Sequence, residues 1–221
     1  MQLAQILPFW NELTPAQRTA LQDAAQTQHC AAQTRLNAKE SCMGLVGIST
    51  GRVRVFTTSR QGREMTLFRL LSYDLCLFSA ACLFRSASFE IMLEAQEDTE
   101  FVLIPAAVYD RVRRENIAAS NYTSELLAQR VSDLLMIMEQ WMNQSLAQRI
   151  GLFLLEEAQL CDSEELALTH EEIARHVGTA REVVSRQMKL LAAQGLLHVG
   201  RGKITLTDSA AMRRFCEEEE G

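Results

Sequence analysis

Arg181, Glu182, Ser185 and Arg186 occupy relative positions 0, 1, 4 and 5 of a segment whose apolar residues recur at helical spacing. A helix there carries all four on one side. Their chemistry is that of base recognition: an arginine fork donates two hydrogen bonds to one guanine, and a glutamate accepts from a cytosine amino group on the partner strand. Val177, Val183, Val184, Leu190 and Leu191 would seat the helix on its neighbours. Upstream, Leu168-Thr-His-Glu-Glu-Ile-Ala-Arg-His-Val reads as a second short amphipathic helix, capped by Thr169 with Glu172 as its capping-box partner. Gly178 lies between the two and supplies the backbone freedom of a tight inter-helix turn. After Gly195, Leu196-Leu-His-Val and Lys203-Ile-Thr-Leu flank Gly200-Arg-Gly, two short strands around a basic tip. Thr169, Thr179, Lys189, Arg201 and Lys203 are the candidates for phosphate contacts that fix the docking position. The bland alternative, a solvated helix with a chance Arg–Glu pair, explains neither the turn nor the paired strands.

The bulk numbers bound this reading. A chain of 221 residues is long enough for two modest domains. Hydrophobic content of 48% and charged content of 23% are those of a soluble globular protein. No apolar run approaches the ~20 residues that span a bilayer, and the N-terminus lacks the basic and apolar regions of a secretion signal. A cytoplasmic protein without a membrane partner is the expectation. A net charge of −6 opposes nucleic-acid binding, because phosphate neutralisation drives affinity. From Thr169 to Lys203, however, six Lys/Arg stand against three acids. No nucleophile–base set, metal-spaced His pair or Gly-rich phosphate loop is present, which argues against an enzyme. Six cysteines without a C-x-x-C pair argue against a disulfide framework.

Three kinds of element must position the reading helix. Residues 1 to about 28 read as helical, with Thr14-Pro15 as a start. From Cys30 to Pro105, β-prone runs at 42–48, 52–58, 64–70, 89–95 and 100–104 alternate with Gly, Ser and Asp turns, the pattern of a small antiparallel roll or barrel. Beyond Pro105 a long helix carries Thr123, Leu127, Val131, Leu134, Met138, Trp141 and Ser145 in nearly coiled-coil steps. Leu127, Val131, Leu134, Met138 and Trp141 are assigned to a homodimer seam, and Leu126, Leu135 and Met142 to packing on the helix's own domain. Asn143-Gln-Ser reads as a hinge before helices at 146–160, 170–176 and 180–194.

Arg-Glu-Val-Val-Ser-Arg at 181–186, the preceding Leu168–Gly178 segment and the following Gly-Arg-Gly-Lys-Ile-Thr-Leu together resemble the winged helix of the Crp/Fnr family of bacterial transcription regulators. The resemblance extends over nearly the whole chain, including Gly51-Arg-Val and Gly62-Arg-Glu-Met in the roll. It implies an α+β fold: an N-terminal antiparallel β-roll (cupin or cyclic-nucleotide-binding-like) at 1–113, a long dimerisation helix and hinge at 114–144, and a C-terminal winged helix-turn-helix at 145–221. It implies a regulator that binds double-stranded DNA as a homodimer, with RNA polymerase as a further partner and a small-molecule or redox effector in the roll. A constitutive dimer whose roll is only a scaffold is the alternative. Glu182, Ser185 and Arg186 are similar to the Fnr branch, implying TTGAT-like half-sites in an inverted repeat; Arg181 is similar to the Crp branch.

The sensor departs from the family's ligand patterns. Aligning Asp74 with the cyclic-nucleotide cassette puts Leu77 and Phe78 at its Gly-Glu positions, and aligning Ala95 puts Phe89 at its phosphate-pairing Arg; Arg85-Ser-Ala falls out of step. An unpaired phosphate would be desolvated there, which argues against cyclic AMP. No cysteine lies near the N-terminus, and Val102 stands where the family's iron–sulfur proteins carry a further Cys. Cys42, Cys76 and Cys82 nevertheless cluster around the altered cassette, with three roles open: small apolar core residues, iron–sulfur or other soft-metal ligands, or a thiol switch. His29 beside Cys30 is either a haem ligand or an ordinary surface histidine. The cofactor, if any, is unknown at this level.

Overall fold

The structure, a computed structural model, describes residues 3–37, 44–77 and 90–217. It divides into two compact units, one of Met1–Thr58 with Leu67–Leu134 and one of Ser59–Thr66 with Leu135–Gly221.

The first unit opens with α1 (Leu3–Ile6), a 3-10 turn (Trp10–Glu12) and α2 (Pro15–Ala24). Thr14 and Gln17 form a reciprocal capping box at the start of α2, with Pro15 at its first position. The helical reading of residues 1–28 ends too late: Gln26–Cys30 is strand β1, paired antiparallel with β8 (Thr99–Pro105). Its polar sequence, Gln-Thr-Gln-His-Cys, carries no alternation strong enough to mark a strand, and pairing supplied by β8 decides it. Between them lie β2 (Arg35–Asn37), β3 (Gly44–Thr50), β4 (Val53–Thr58), β5 (Glu64–Leu70), β6 (Leu75–Leu77) and β7 (Glu90–Ala95). They build two four-stranded sheets, ordered β1-β8-β3-β6 and β2-β7-β4-β5. Five strands were legible as β-prone runs; β1, β2 and β6 were not, the last two being three residues each.

Two apolar layers hold this unit. Val46, Ile48, Val55, Leu70, Cys76, Leu93, Phe101 and Leu103 are buried together in the roll. Leu7, Phe9, Leu21, Leu45, Ile104, Tyr109 and Val112 are buried in a second cluster that joins the helices to the strands. The region after Pro105 is two helices, α3 (Ala106–Glu115) and α4 (Ile117–Asn143), because Asn116 leaves helical geometry and its side chain accepts from the Ala119 amide.

The second unit contains α5 (Leu146–Cys161), β9 (Glu165–Leu166), α6 (His170–Val177), α7 (Arg181–Ala193), β10 (Leu197–Gly200), β11 (Lys203–Leu206) and α8 (Ser209–Glu217). Ser145 caps α5 in a box with Gln148, so the chain breaks its helix at the hinge expected at Asn143-Gln-Ser. Ile150, Leu154, Ile173, Val184, Met188, Leu191, Ile204 and Met212 form one core, each at most 1% exposed. β10 and β11 are the expected wing strands; β9, two residues long, adds a third strand. Gly151 permits the close approach of α8, since a Cβ there would lie 2.7 Å from Cys216 Sγ.

Candidate nucleic-acid interface

The core of the second unit dictates what its surface presents. Val184, Met188 and Leu191 of α7 are buried, which turns Arg181, Glu182, Arg186 and Lys189 to solvent, with Ser185 half-buried between them. Arg181, Glu182 and Arg186 make no ion pair or side-chain hydrogen bond among the described residues, so their donors and acceptors are uncommitted. The four expected readers are thus brought onto one exposed face.

The turn before them is built as expected. Thr169 caps α6: its Oγ1 accepts from the Glu172 amide at 3.2 Å, while its own amide and hydroxyl both donate to Glu172 Oε2 at 2.7 Å. Gly178 then adopts φ 74° and ψ 34° and ends α6, with its amide bonded to the Ala174 carbonyl at 3.0 Å. Thr179, half-buried, follows it at the approach to α7.

Not all candidate phosphate contacts are equally free. The Thr169 donors are consumed by the capping box, which makes this residue structural first. Lys203 is paired with Glu165 of β9, so phosphate must compete with a carboxylate there. Arg201 and Lys189 are exposed, and neither forms an ion pair among the described residues. His170 occupies the first position of α6 and carries no sequence signal of a role. Burial and then the charge of Arg181 hold its imidazole below the ordinary histidine pKa, which places it in the field of the reading face. The capping pattern was visible in the sequence; the proximity to Arg181 depends on how α6 and α7 cross.

The helix face assigned to a dimer divides along its length. Thr123 is buried; its Oγ1 donates to the Ala119 carbonyl at 2.7 Å and so accepts from Tyr109 Oη at 2.8 Å. Leu127 packs with Leu126 against the helical core of the first unit. Leu134 is half-buried and Ser145 is a helix cap. Further on, Val131, Leu135, Met138 and Met142 are 55%, 58%, 58% and 79% exposed. Leu135 and Met142 therefore do not pack on the helix's own domain; with Val131 and Met138 they continue an exposed stripe in steps of four, three and four. Trp141, 47% exposed, also has partners within its own unit: the Arg149 guanidinium sits 4.3 Å from its ring centroid, and a Cβ on Gly178 would meet its Cζ2 at 3.2 Å.

In the roll, Cys76 is buried, and desolvation pushes its thiol up to about 12. Val102 is a buried residue of β8, paired with Gly47 and Thr27. Cys42, Cys82, Phe78, Arg85 and Phe89 lie outside the described residues. Among the described residues no group of three or more His, Cys, Asp or Glu side chains converges as a metal site. His29 lies 3.6 Å from Glu100 with its side chain 73% exposed, the arrangement of a surface histidine.

Residues 148–215 match the Crp-like helix-turn-helix domain family. The chain is 40% identical to a transcriptional regulator of the crp/fnr family from Eubacterium rectale, and the two structures superimpose with a TM-score of 0.90 over 96% of this chain and 99% of that one. The cyclic AMP receptor protein of Thermus thermophilus is 28% identical over 169 residues, 76% of this chain and 77% of that protein. The transcriptional regulator SdrP of the same organism is 34% identical over 97 residues, 41% of this chain and 48% of that one.

Proposed function

Because this chain belongs to the Crp/Fnr family of DNA-binding transcription regulators, we propose that it works as a homodimer reading an inverted repeat of TTGAT-like half-sites under control of its β-roll. The exposed, uncommitted set on α7 supports the readout most directly. Arg186 donates both guanidinium arms to a guanine and Glu182 accepts from the paired cytosine, while Arg181 and Ser185 contact neighbouring bases. Lys189, Arg201 and Thr179 hold phosphates, with Lys203 joining once it leaves Glu165. The exposed stripe Val131, Leu135, Met138 and Met142 supports a two-fold seam, which sets the two reading helices about one DNA turn apart. The roll then acts by biasing that seam and the hinge at Asn143–Ser145. RNA polymerase is the expected further partner on DNA, and the cytoplasm the place of action; among the described residues no helix is long and apolar enough to cross a membrane.

Arg186→Ala tests the readout. Its expected effect is a loss of about 1–3 kcal/mol at a site selected by the wild-type protein from random DNA, with relaxed preference at one guanine and unchanged binding to unrelated duplex. Equal losses on selected and unrelated DNA would show Arg186 to be a phosphate contact instead. A constitutive dimer predicts the same DNA result with no dependence on any ligand or redox condition.

A further inference from the structure

The wing carries its own competitor for phosphate. Lys203 opens β11 opposite Gly200 of β10, which offers it no side chain. On the other edge of β11, Glu165 of β9 lies opposite Thr205, two residues along from Lys203. Alternation puts Lys203 and Thr205 on one face of the strand, with Ile204 and Leu206 buried on the other. Glu165 and Lys203 are therefore diagonal cross-strand neighbours, within reach of two long side chains. Lys203 Nζ is ion-paired with Glu165 Oε2. The backbone leaves Glu165 little freedom to withdraw. Its amide donates to Ser163 Oγ at 3.1 Å, and its carbonyl accepts from the same hydroxyl at 3.1 Å. One residue earlier, the Glu164 carbonyl accepts from the Leu206 amide at 2.9 Å, which ties β9 to the far end of β11.

Exposure decides what the pair is for. The Lys203 and Glu165 side chains are 47% and 57% exposed, so water screens their attraction and the pair adds little to folding stability. Its effect falls on an incoming polyanion. A wing phosphate reaches Lys203 only by displacing a tethered carboxylate, and the displaced Glu165 stays beside it as a like charge. From the register and the pair, we propose that Glu165 is a guard on the wing, holding down the affinity of this protein for DNA through Lys203. This rests on the assignment of Lys203 to a phosphate and adds the regulation of that contact. A guard of this kind is distinct from the overall negative charge, because it acts through one named cation. It reads no base, so it lowers binding to every sequence alike and leaves selectivity to α7. Salt screens both the pair and the repulsion, so the guard weakens as ionic strength rises.

The test is a double-mutant cycle on the full chain: wild type, Glu165→Gln, Lys203→Ala and the double variant. Each is titrated with a duplex selected by the wild type and with an unrelated duplex. Both sites are exposed, so all four proteins are expected to share one melting temperature, which checks folding. At about 50 mM salt, Glu165→Gln is expected to raise affinity for both duplexes by the same factor, about two- to five-fold per wing, with the gain shrinking as salt is added. Lys203→Ala is expected to cost more in the Glu165→Gln background than in the wild type. Equally, Glu165→Gln is expected to gain less once Lys203 is gone. An equal gain with and without Lys203 overturns the guard and leaves Glu165 as one more acidic charge. No loss from Lys203→Ala in the Glu165→Gln background overturns the phosphate contact itself, and the guard with it.

Discussion

Native Cys76 carries a proton under all physiological conditions, because desolvation in the roll pushes its thiol up to about 12. Cys216 behaves alike at about 11, buried beside α5 with its S–H directed at the Gln148 carbonyl at 3.4 Å. Cys161 is exposed on the last turn of α5. Iodoacetamide at pH 8 is therefore expected to alkylate Cys161 and spare Cys76 and Cys216, as read by peptide mass spectrometry; rapid native labelling of Cys76 would restore it as a redox centre. His170 gives a pH signature. Its folded-state pKa lies below the unfolded value of about 6.5, so below that pH the unfolded chain takes up a proton that the folded chain refuses. Stability is then unaffected above about pH 7.5 and falls as the pH drops through about 6.5 toward the folded pKa. His170→Gln is expected to flatten this limb of a melting-temperature profile; an unchanged slope assigns it to other groups.

At the scale of elements, the helix-turn-helix depends on one backbone conformation and on one aromatic ring set against it. Gly178 sits in the left-handed region at φ 74°, and a Cβ there would press within 3.2 Å of Trp141 Cζ2 and 3.4 Å of Met65 Cβ. Gly178→Ala is expected to cost about 1–2 kcal/mol of unfolding free energy in urea titration. Trp141 itself carries the Arg149 guanidinium, whose Nε and Nη1 find no hydrogen-bond acceptor among the described residues and whose pKa burial lowers. The ring is their remaining electrostatic partner, a contact worth about 0.5–2 kcal/mol. Trp141→Ala is accordingly expected to lower melting temperature and DNA affinity while the sedimentation coefficient stays that of the wild type. Met138→Asp, in the exposed stripe, is expected to lower the sedimentation coefficient by splitting the proposed dimer, and to weaken binding to an inverted repeat with it. Dissociation by Trp141→Ala would return the indole to the seam.

The molecule as a whole carries six net negative charges and meets a polyanion with them. Non-specific attraction is weak for such a chain, so affinity must rest on the local basic face and fall steeply with salt. Lys189→Ala is expected to weaken binding to all sequences alike and to reduce the slope of log K against log salt by about one per protomer. Thr169→Ala is expected to leave that slope unchanged and instead to cost about 1 kcal/mol of stability, because its hydroxyl belongs to the α6 cap. A salt slope that responds to Thr169 and not to Lys189 would reassign the phosphate contacts.

Local chemistry made the second unit readable in advance. Capping boxes at Thr169 and Ser145, the Gly178 turn, the apolar side of α7 and the wing strands are short-range devices, so spacing alone locates them and leaves Arg181, Glu182, Ser185 and Arg186 exposed. The five longer roll strands announced themselves by β-branched and aromatic runs. Other features needed the folded chain. β1 is a strand because β8 offers it partners, and its polar residues carry no such signal. Thr123 is spaced for a seam yet is taken by Tyr109, and Leu127 packs in part on the helical core, whereas Leu135 and Met142 are exposed. Periodicity fixes which residues share a helix face, but not which neighbour that face meets. Likewise the fate of Cys76 is set by burial, a property of strands distant in sequence closing over one another, and no single segment encodes it.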